Sequence, residues 1–183
     1  MRAALVVVLL LGCRGGSTAP PVPRCTTPVR ASSQADLDAV RGCTRLPALS
    51  LRGAVPFDLT PLAELATIDG DLAVRSTFAL GSVRLPALTR VGGDLDITTN
   101  LDLTGVYLPL LVSARNLTVA EAPALIELML PKLADVPGRL TVRRLPSLEL
   151  IDLSSLPPDT QRTVEDTPRV ATWLGPGDPR SEP

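Results

Sequence analysis

The chain has 183 residues, of which 18 are Lys or Arg, 19 are Asp or Glu and none is His; 45% are hydrophobic and only 2% aromatic. That length suits one domain, the apolar content is too high for a wholly disordered chain, and a net charge of −1 gives no pull toward nucleic acid. The lack of His excludes Ser–His and Cys–His catalysis and imidazole metal ligation, while Phe57, Phe78, Tyr107 and Trp173 are too few for base-stacking platforms or an aromatic sugar groove.

Arg2 precedes an unbroken apolar run, Ala3 to Leu11, followed by Gly12 and Cys13. A basic start, a short apolar stretch and a small residue before the cut have the form of a secretory signal over residues 1–12. The run is too short to span a bilayer, which takes about 20 residues. Leu10-Leu11-Gly12-Cys13 resembles the lipobox of bacterial lipoproteins. The resemblance implies that Cys13 is acylated, becomes the first mature residue and holds the protein on a membrane. Two or three acyl chains anchor firmly where one does not. Removing residues 1–12 takes away one Arg and no acid, which leaves 17 basic and 19 acidic side chains, a formal charge of −2. Arg14 is not the Asp that retains enteric lipoproteins at the inner membrane, so the expected location is the bacterial cell envelope, at the outer membrane or cell surface.

Residues 13–24 are rich in Gly, Ser and Pro without apolar periodicity and read as a tether. Cys25 and Cys43 are then an even pair in an oxidising compartment. A disulfide between them would close a loop worth roughly 3 kcal/mol in the chain-entropy account; two free thiols are the alternative. Between them, 32–40 reads as a short helix. Ser32 or Ser33 serves as N-cap, Asp36 lies in the first turn, Leu37 and Val40 share a face, and Gly42 stops it. Residues 25–48 are thus expected to form an N-terminal cap on the domain.

From Leu49 onward the chain repeats. The triplets beginning at Leu49, Leu72, Leu95, Leu117 and Leu140 are spaced 23, 23, 22 and 23 residues apart. Columns at eight, eleven, thirteen and sixteen residues after each first Leu are apolar at nineteen of twenty positions, Thr60 being the exception. No single repeat can bury these side chains alone, so neighbours must stack into a solenoid. The Leu-x-Val triplets read as short parallel strands about 4.8 Å apart. Pro86, Pro109 and Pro131 stiffen one corner, and Gly70, Gly93 and Gly138 are expected to take positive φ at another. The third coil is one residue short and has Arg115 at that corner. The expected fold is mainly β: a right-handed parallel β-helix or leucine-rich-repeat-like solenoid of about five coils over 49–162. Residues 163–183 are expected to form a C-terminal cap and a disordered tail.

The buried Asn of a standard leucine-rich repeat falls here on Thr77, Asn100, Ala122 and Leu145, so only Asn100 matches. The chain looks instead like the receptor L-domain of growth-factor receptor ectodomains. The resemblance is carried by the entry segment 33–44, by Leu85-Pro86-Ala87-Leu88-Thr89-Arg90-Val91-Gly92-Gly93-Asp94-Leu95-Asp96-Ile97, and by weaker copies at 108–119 and 130–142. Leu46-Pro47-Ala48 departs from the family's step into the first strand. The resemblance implies extracellular, non-catalytic binding or a structural surface role.

With Leu and Val of each triplet inward, the middle residues face out. The candidate binding face is Asp71, Arg75, Asp94, Asp96, Asn116, Thr118, Arg139, Thr141 and Arg143, mixed in charge and free of bulk. Its bland reading is a solvated face held by exposed ion pairs. Asp69-Gly70-Asp71 and Gly92-Gly93-Asp94 match no known calcium loop, and Asn116-Leu117-Thr118 fits a glycosylation sequon that we read as accidental. No metal and no cofactor are expected. The expected partners are a membrane, through the lipid on Cys13, and a protein or glycan, with the protein itself monomeric. A purely structural envelope spacer is the main alternative. A carbohydrate-cleaving β-helix using Asp94 and Asp96 is the enzymatic one.

Overall fold

A computed structural model describes residues 25–176. Cys13, the signal segment and the tether lie outside these residues. The chain forms a parallel β-solenoid of about six turns with one short helix. Three sheets make the faces of a prism. The largest has seven strands: β1 (Val29–Ala31), β3 (Leu49–Gly53), β5 (Leu72–Thr77), β8 (Asp94–Thr98), β10 (Asn116–Ala120), β12 (Leu140–Arg143) and β14 (Arg162–Glu165). A five-stranded face holds β6 (Ser82–Arg84), β9 (Gly105–Tyr107), β11 (Glu127–Met129), β13 (Leu150–Asp152) and β15 (Thr172–Leu174). The third face is β2 (Arg45–Leu46), β4 (Thr67–Ile68) and β7 (Arg90–Val91), prolonged by single bridges at Ser113 and Asp135.

The expected register holds throughout. Leu72 pairs with Leu95, Leu95 with Leu117 and Leu117 with Leu140, so the triplets stack as columns. The solenoid is longer than the five coils counted from the triplets. Val29-Arg30-Ala31, inside the segment read as a cap, already pairs with Leu49-Ser50-Leu51. At the other end β14 and β15 continue two sheets into the stretch read as a closing cap. The reason is simple: an edge strand presents a row of unpaired amides, and any alternating segment nearby is drawn onto it.

The apolar columns fill the interior, and Leu62, Leu85, Leu108, Leu130 and Leu153 are all buried. Thr60, the one polar member of those columns, is exposed. There the first coil makes a 3-10 turn, Thr60–Leu62, in place of the strand found in later coils. The prolines work as read. Leu88, Leu111 and Leu133 donate their N–H groups to Leu85, Leu108 and Leu130, which closes turns with Pro86, Pro109 and Pro131 at the second position. Asn100 makes a single polar rung in the core. Its Oδ1 accepts from the Thr77 N–H and hydroxyl at 3.0 and 2.7 Å, and its Nδ2 donates to the Val74 carbonyl at 2.9 Å.

The N-terminal end is closed by α1 (Gln34–Asp38), with Ser33 as N-cap. The Asp36 carboxylate accepts from the Ser32 and Ser33 N–H groups at 3.0 and 2.9 Å. Leu37 and Val40 are buried, and Gly42 takes φ 78°, the left-handed geometry expected of the stop. Cys25 and Cys43 form a disulfide.

One expectation fails. Gly70, Gly93 and Gly138 do not have positive φ; among the described glycines only Gly42 and Gly53 do. Their role is close approach. A Cβ on Gly93 would lie 2.1 Å from Asp71 Oδ1, and one on Gly138 would lie 2.0 Å from Asn116 Oδ1. The left-handed residues sit at a different corner and are not glycine: Ser76, Thr99, Glu121, Arg144 and Asp166, with φ between 52° and 58°. Ser76 lies near the end of β5 and the other four directly follow a strand of the large sheet; all turn the chain toward the five-stranded face.

The closest approach to backbone at the corner before the large sheet is at Gly92, where a Cβ would stand 2.2 Å from the Asp69 carbonyl oxygen. Gly92→Ala should therefore cost about 2–3 kcal/mol, as overpacking against backbone does. Gly81→Ala, with nothing within 4 Å, should change stability by less than about 0.5 kcal/mol. Urea unfolding of both variants followed by circular dichroism checks the contrast, and equal midpoints would refute it.

Candidate functional site

The outer surface of the seven-stranded sheet carries a shallow groove of about 500 Å³. Eight of the nine face residues singled out in the sequence line it: Asp71, Arg75, Asp94, Asp96, Asn116, Thr118, Arg139 and Thr141. Arg143 does not; it lies at the far end of β12, in register with Ala120 and Glu165. The groove exists because its floor is small. The middle lane reads Ser50, Ala73, Asp96, Thr118 and Thr141 over successive turns, small at every turn but that of Asp96, with longer side chains beside it.

One wall is an Asx ladder running across the turns. Asp71 Oδ1 accepts from the Asp94 N–H at 2.9 Å, and Asn116 Oδ1 accepts from the Arg139 N–H at 2.8 Å. Between them, Asp94 Oδ1 accepts from Asn116 Nδ2 at 2.8 Å and from Arg115 Nε at 2.9 Å. The glycines at this corner leave room for these side chains to lie between coils. Arg115 stands where other turns have glycine, in the coil that is one residue short. Its side chain leaves the stack and reaches back to Asp94, with Asp71 3.7 Å away. The hydrogen bonds from Arg115, then that from Asn116, hold the Asp94 carboxyl below its ordinary value. That is the wrong direction for a general acid.

The middle of the groove is anchored by Arg75, which pairs with Asp96 Oδ2. The other Asp96 oxygen, Oδ1, is buried and has no hydrogen-bond partner. Asp71, expected beside Arg75, is instead nearest Arg115. Among the described residues no ion pair involves Arg30, Arg139 or Arg143, and the hydroxyls of Ser50, Thr118 and Thr141 make no side-chain hydrogen bond. The face thus combines satisfied charges with free donors and acceptors.

Sequence reading missed Arg30 and Pro28, and it placed Arg115 at its corner without the contact to Asp94. Arg30 and Pro28 line the N-terminal end of the groove. The alternation in Val29-Arg30-Ala31 signals a strand, but it lies 20 residues before the Leu49 triplet and so outside the repeat period. Among the described residues no group of three His, Cys, Asp or Glu could hold a metal ion, and no helix is long and apolar enough to cross a membrane.

No family model, no curated protein and no solved structure matches this chain.

Asp36, Asp58, Asp69 and Asp94 all have carboxyls held below the ordinary value of 3.8 by hydrogen bonds to backbone, hydroxyl or guanidinium groups. A folded-state value below the unfolded one means that the stabilisation is complete above pH 3.8 and is lost as pH falls through the folded values. Urea midpoints measured from pH 6 to pH 2.5 should hold level and then fall below about 3.8. Asp94→Asn should show a shallower fall; an identical profile would remove Asp94 from the account.

Proposed function

We propose that this protein is a non-catalytic, lipid-anchored surface protein of a bacterial envelope. Its solenoid binds a protein or a glycan along the groove of the seven-stranded sheet. The observation that carries the reading is the groove itself. A flat, fully solvated sheet face would need no depression, no unpartnered carboxylate oxygen on Asp96 and no row of free hydroxyls. A ligand with many hydroxyl or amide groups would satisfy those hydroxyls and the guanidinium groups of Arg30 and Arg139, which form no ion pair among the described residues. Sequence supports the anchor, through the lipobox-like Leu10-Leu11-Gly12-Cys13 and the tether behind it. The resemblance to receptor L-domains supports binding over catalysis.

The specific observation favouring a plain spacer is that Arg75 pairs with Asp96 and Arg115 with Asp94, as solvated charges on a structural face do. Such exposed pairs contribute under about 1 kcal/mol each.

Thr118→Arg separates the two. It fills the groove floor from an outward position and leaves the core untouched. Crosslinking of the tagged chain on intact cells, followed by mass spectrometry, should capture a specific partner. The variant should lose it at least tenfold, with an unchanged melting temperature. Equal capture by both chains, or none by either, would establish the spacer. The anchor has its own test: inhibition of signal peptidase II should leave a heavier precursor, and unchanged processing would sink the lipoprotein reading.

A further inference from the structure

The corner between the seven-stranded and five-stranded faces leaves one apolar side chain per turn in solvent. Val55, Phe78 and Leu101 are exposed to 40%, 43% and 48%, and Pro123, Pro146 and Pro168 continue the series, all exposed. The spacings are 23, 23, 22, 23 and 22 residues, the period of the solenoid. Backbone bonds lock the corner from turn to turn, with the Phe78 N–H on the Gly53 carbonyl and the Leu145 N–H on the Asp166 carbonyl. Six side chains, the first offset by the register shift that pairs Gly53 with Thr77, make a ridge about 24 Å long. Single exposed apolar residues need no explanation, but a contiguous row marks a contact surface. The outward column two residues earlier is polar in every later turn: Ser76, Thr99, Glu121, Arg144 and Asp166. Solvation alone therefore does not dictate apolar residues at this corner.

The ridge is bulky at its N-terminal half and flat at its proline half. Pro146 and Pro168 border a wide, open depression of about 660 Å³ together with Val164, Arg144, Asp166 and Thr167. We infer that this ridge is the contact between two copies of the chain, packed antiparallel about a two-fold axis between Leu101 and Pro123. That axis sets Leu101 on the partner's Pro123, Phe78 on the partner's Pro146 and Val55 on the partner's Pro168. Phe78, 43% exposed, then faces the open depression beside Pro146 and Pro168. The ends also complement each other. Arg169, beside Pro168 and without an ion pair among the described residues, arrives at the end that carries exposed Asp58. A two-fold contact needs this kind of self-complementarity. An anionic membrane suits the ridge less, because Asp102, Glu121 and Asp166 flank it. The inference departs from the monomer expected from sequence, where the ridge does not show because the turns are not yet aligned. No ridge residue lines the groove, so each copy keeps its sheet face free.

The test uses full-length chains co-expressed in cells with two different tags. One copy carries Phe78→Cys and the other Pro146→Cys, and both are oxidised with copper phenanthroline. The two sites meet across the proposed axis, whereas two copies of Phe78→Cys would lie about three strand spacings apart, beyond disulfide reach. A mixed-tag disulfide dimer should form at least tenfold more strongly than with Phe78→Cys in both copies, or with Phe78→Cys against Thr141→Cys. Leu101→Arg, an exposed change, should lower the mixed yield tenfold with an unchanged melting temperature. Equal yields for every pairing, no dimer, or an adduct with another protein in place of the dimer would overturn the inference.

Discussion

Everything in this molecule depends on one constraint: parallel stacking sets each residue against its own counterpart one turn away, at about a strand spacing. A side chain's nearest neighbour is therefore its own column. For Leu on Leu this is self-reinforcing, because aliphatic side chains in a column exclude water from each other along the whole axis. For charges it is hostile, and the sequence answers by alternation. Asp94 is followed by Arg115 at the same corner, Asp69 is paired with Arg45, and Glu121 with Arg144. Where two Asx side chains do stack, one accepts a backbone N–H of the next turn, and so the column stays satisfied.

The same constraint explains which residues tolerate strain. A left-handed conformation costs a non-glycine residue about 1–2 kcal/mol. Five columnar neighbours nevertheless adopt it, from Ser76 to Asp166. The corner cannot relax one turn at a time, because three of these N–H groups donate to the carbonyl of an adjacent turn, Thr99 to Ala120, Glu121 to Arg143 and Arg144 to Glu165. Side chains add to this: Thr99 donates to Glu121 at 3.1 Å, and Arg144 donates to Glu121 at 2.8 Å. Glycine was free to go elsewhere, to the opposite corner, where the neighbouring turn comes too close for any Cβ.

Legibility in the sequence obeys the same division. The inward columns were legible because burial leaves only apolar choices, and a period of 22 or 23 makes nineteen of twenty positions agree. The helix with its Ser33 cap and Gly42 stop was legible because those residues have local jobs. The N-terminal end strand was not. Arg30 belongs to a strand recruited by an open edge and not by the repeat, whereas β14, 22 residues after β12, was legible at Thr163-Val164 as a degenerate closing strand. The left-handed corner was illegible because glycine, the usual marker, is absent from all but its first member, Gly53. The candidate face was legible in its membership but not in its shape. That Ser50, Ala73, Thr118 and Thr141 form a low floor around Asp96 depends on register across turns, and Arg143 was included because it shares the lane of Arg75, although the groove ends before it.

Outward positions are where such a fold can hold function, since every inward one is committed to a column. The face and corners have separated their chemistries accordingly. The large sheet face is polar and recessed, with hydroxyls in one lane and carboxylates capped by guanidinium groups beside it. The corner that leaves that face is apolar and raised, with prolines at the second position of turns closed by Leu125 on Ala122 and Leu148 on Leu145. Those prolines cost little ordering entropy when covered, because their backbone is already fixed. The hydroxyls cost little to desolvate only if a ligand offers matching donors and acceptors. Stacking thus copies each local choice along the axis and turns a single-residue preference into a surface: hydrogen-bonding in the groove and shape-dependent on the ridge. A substitution in either column changes one rung and leaves the solenoid standing, which allows the two surfaces to vary independently of the core and of each other.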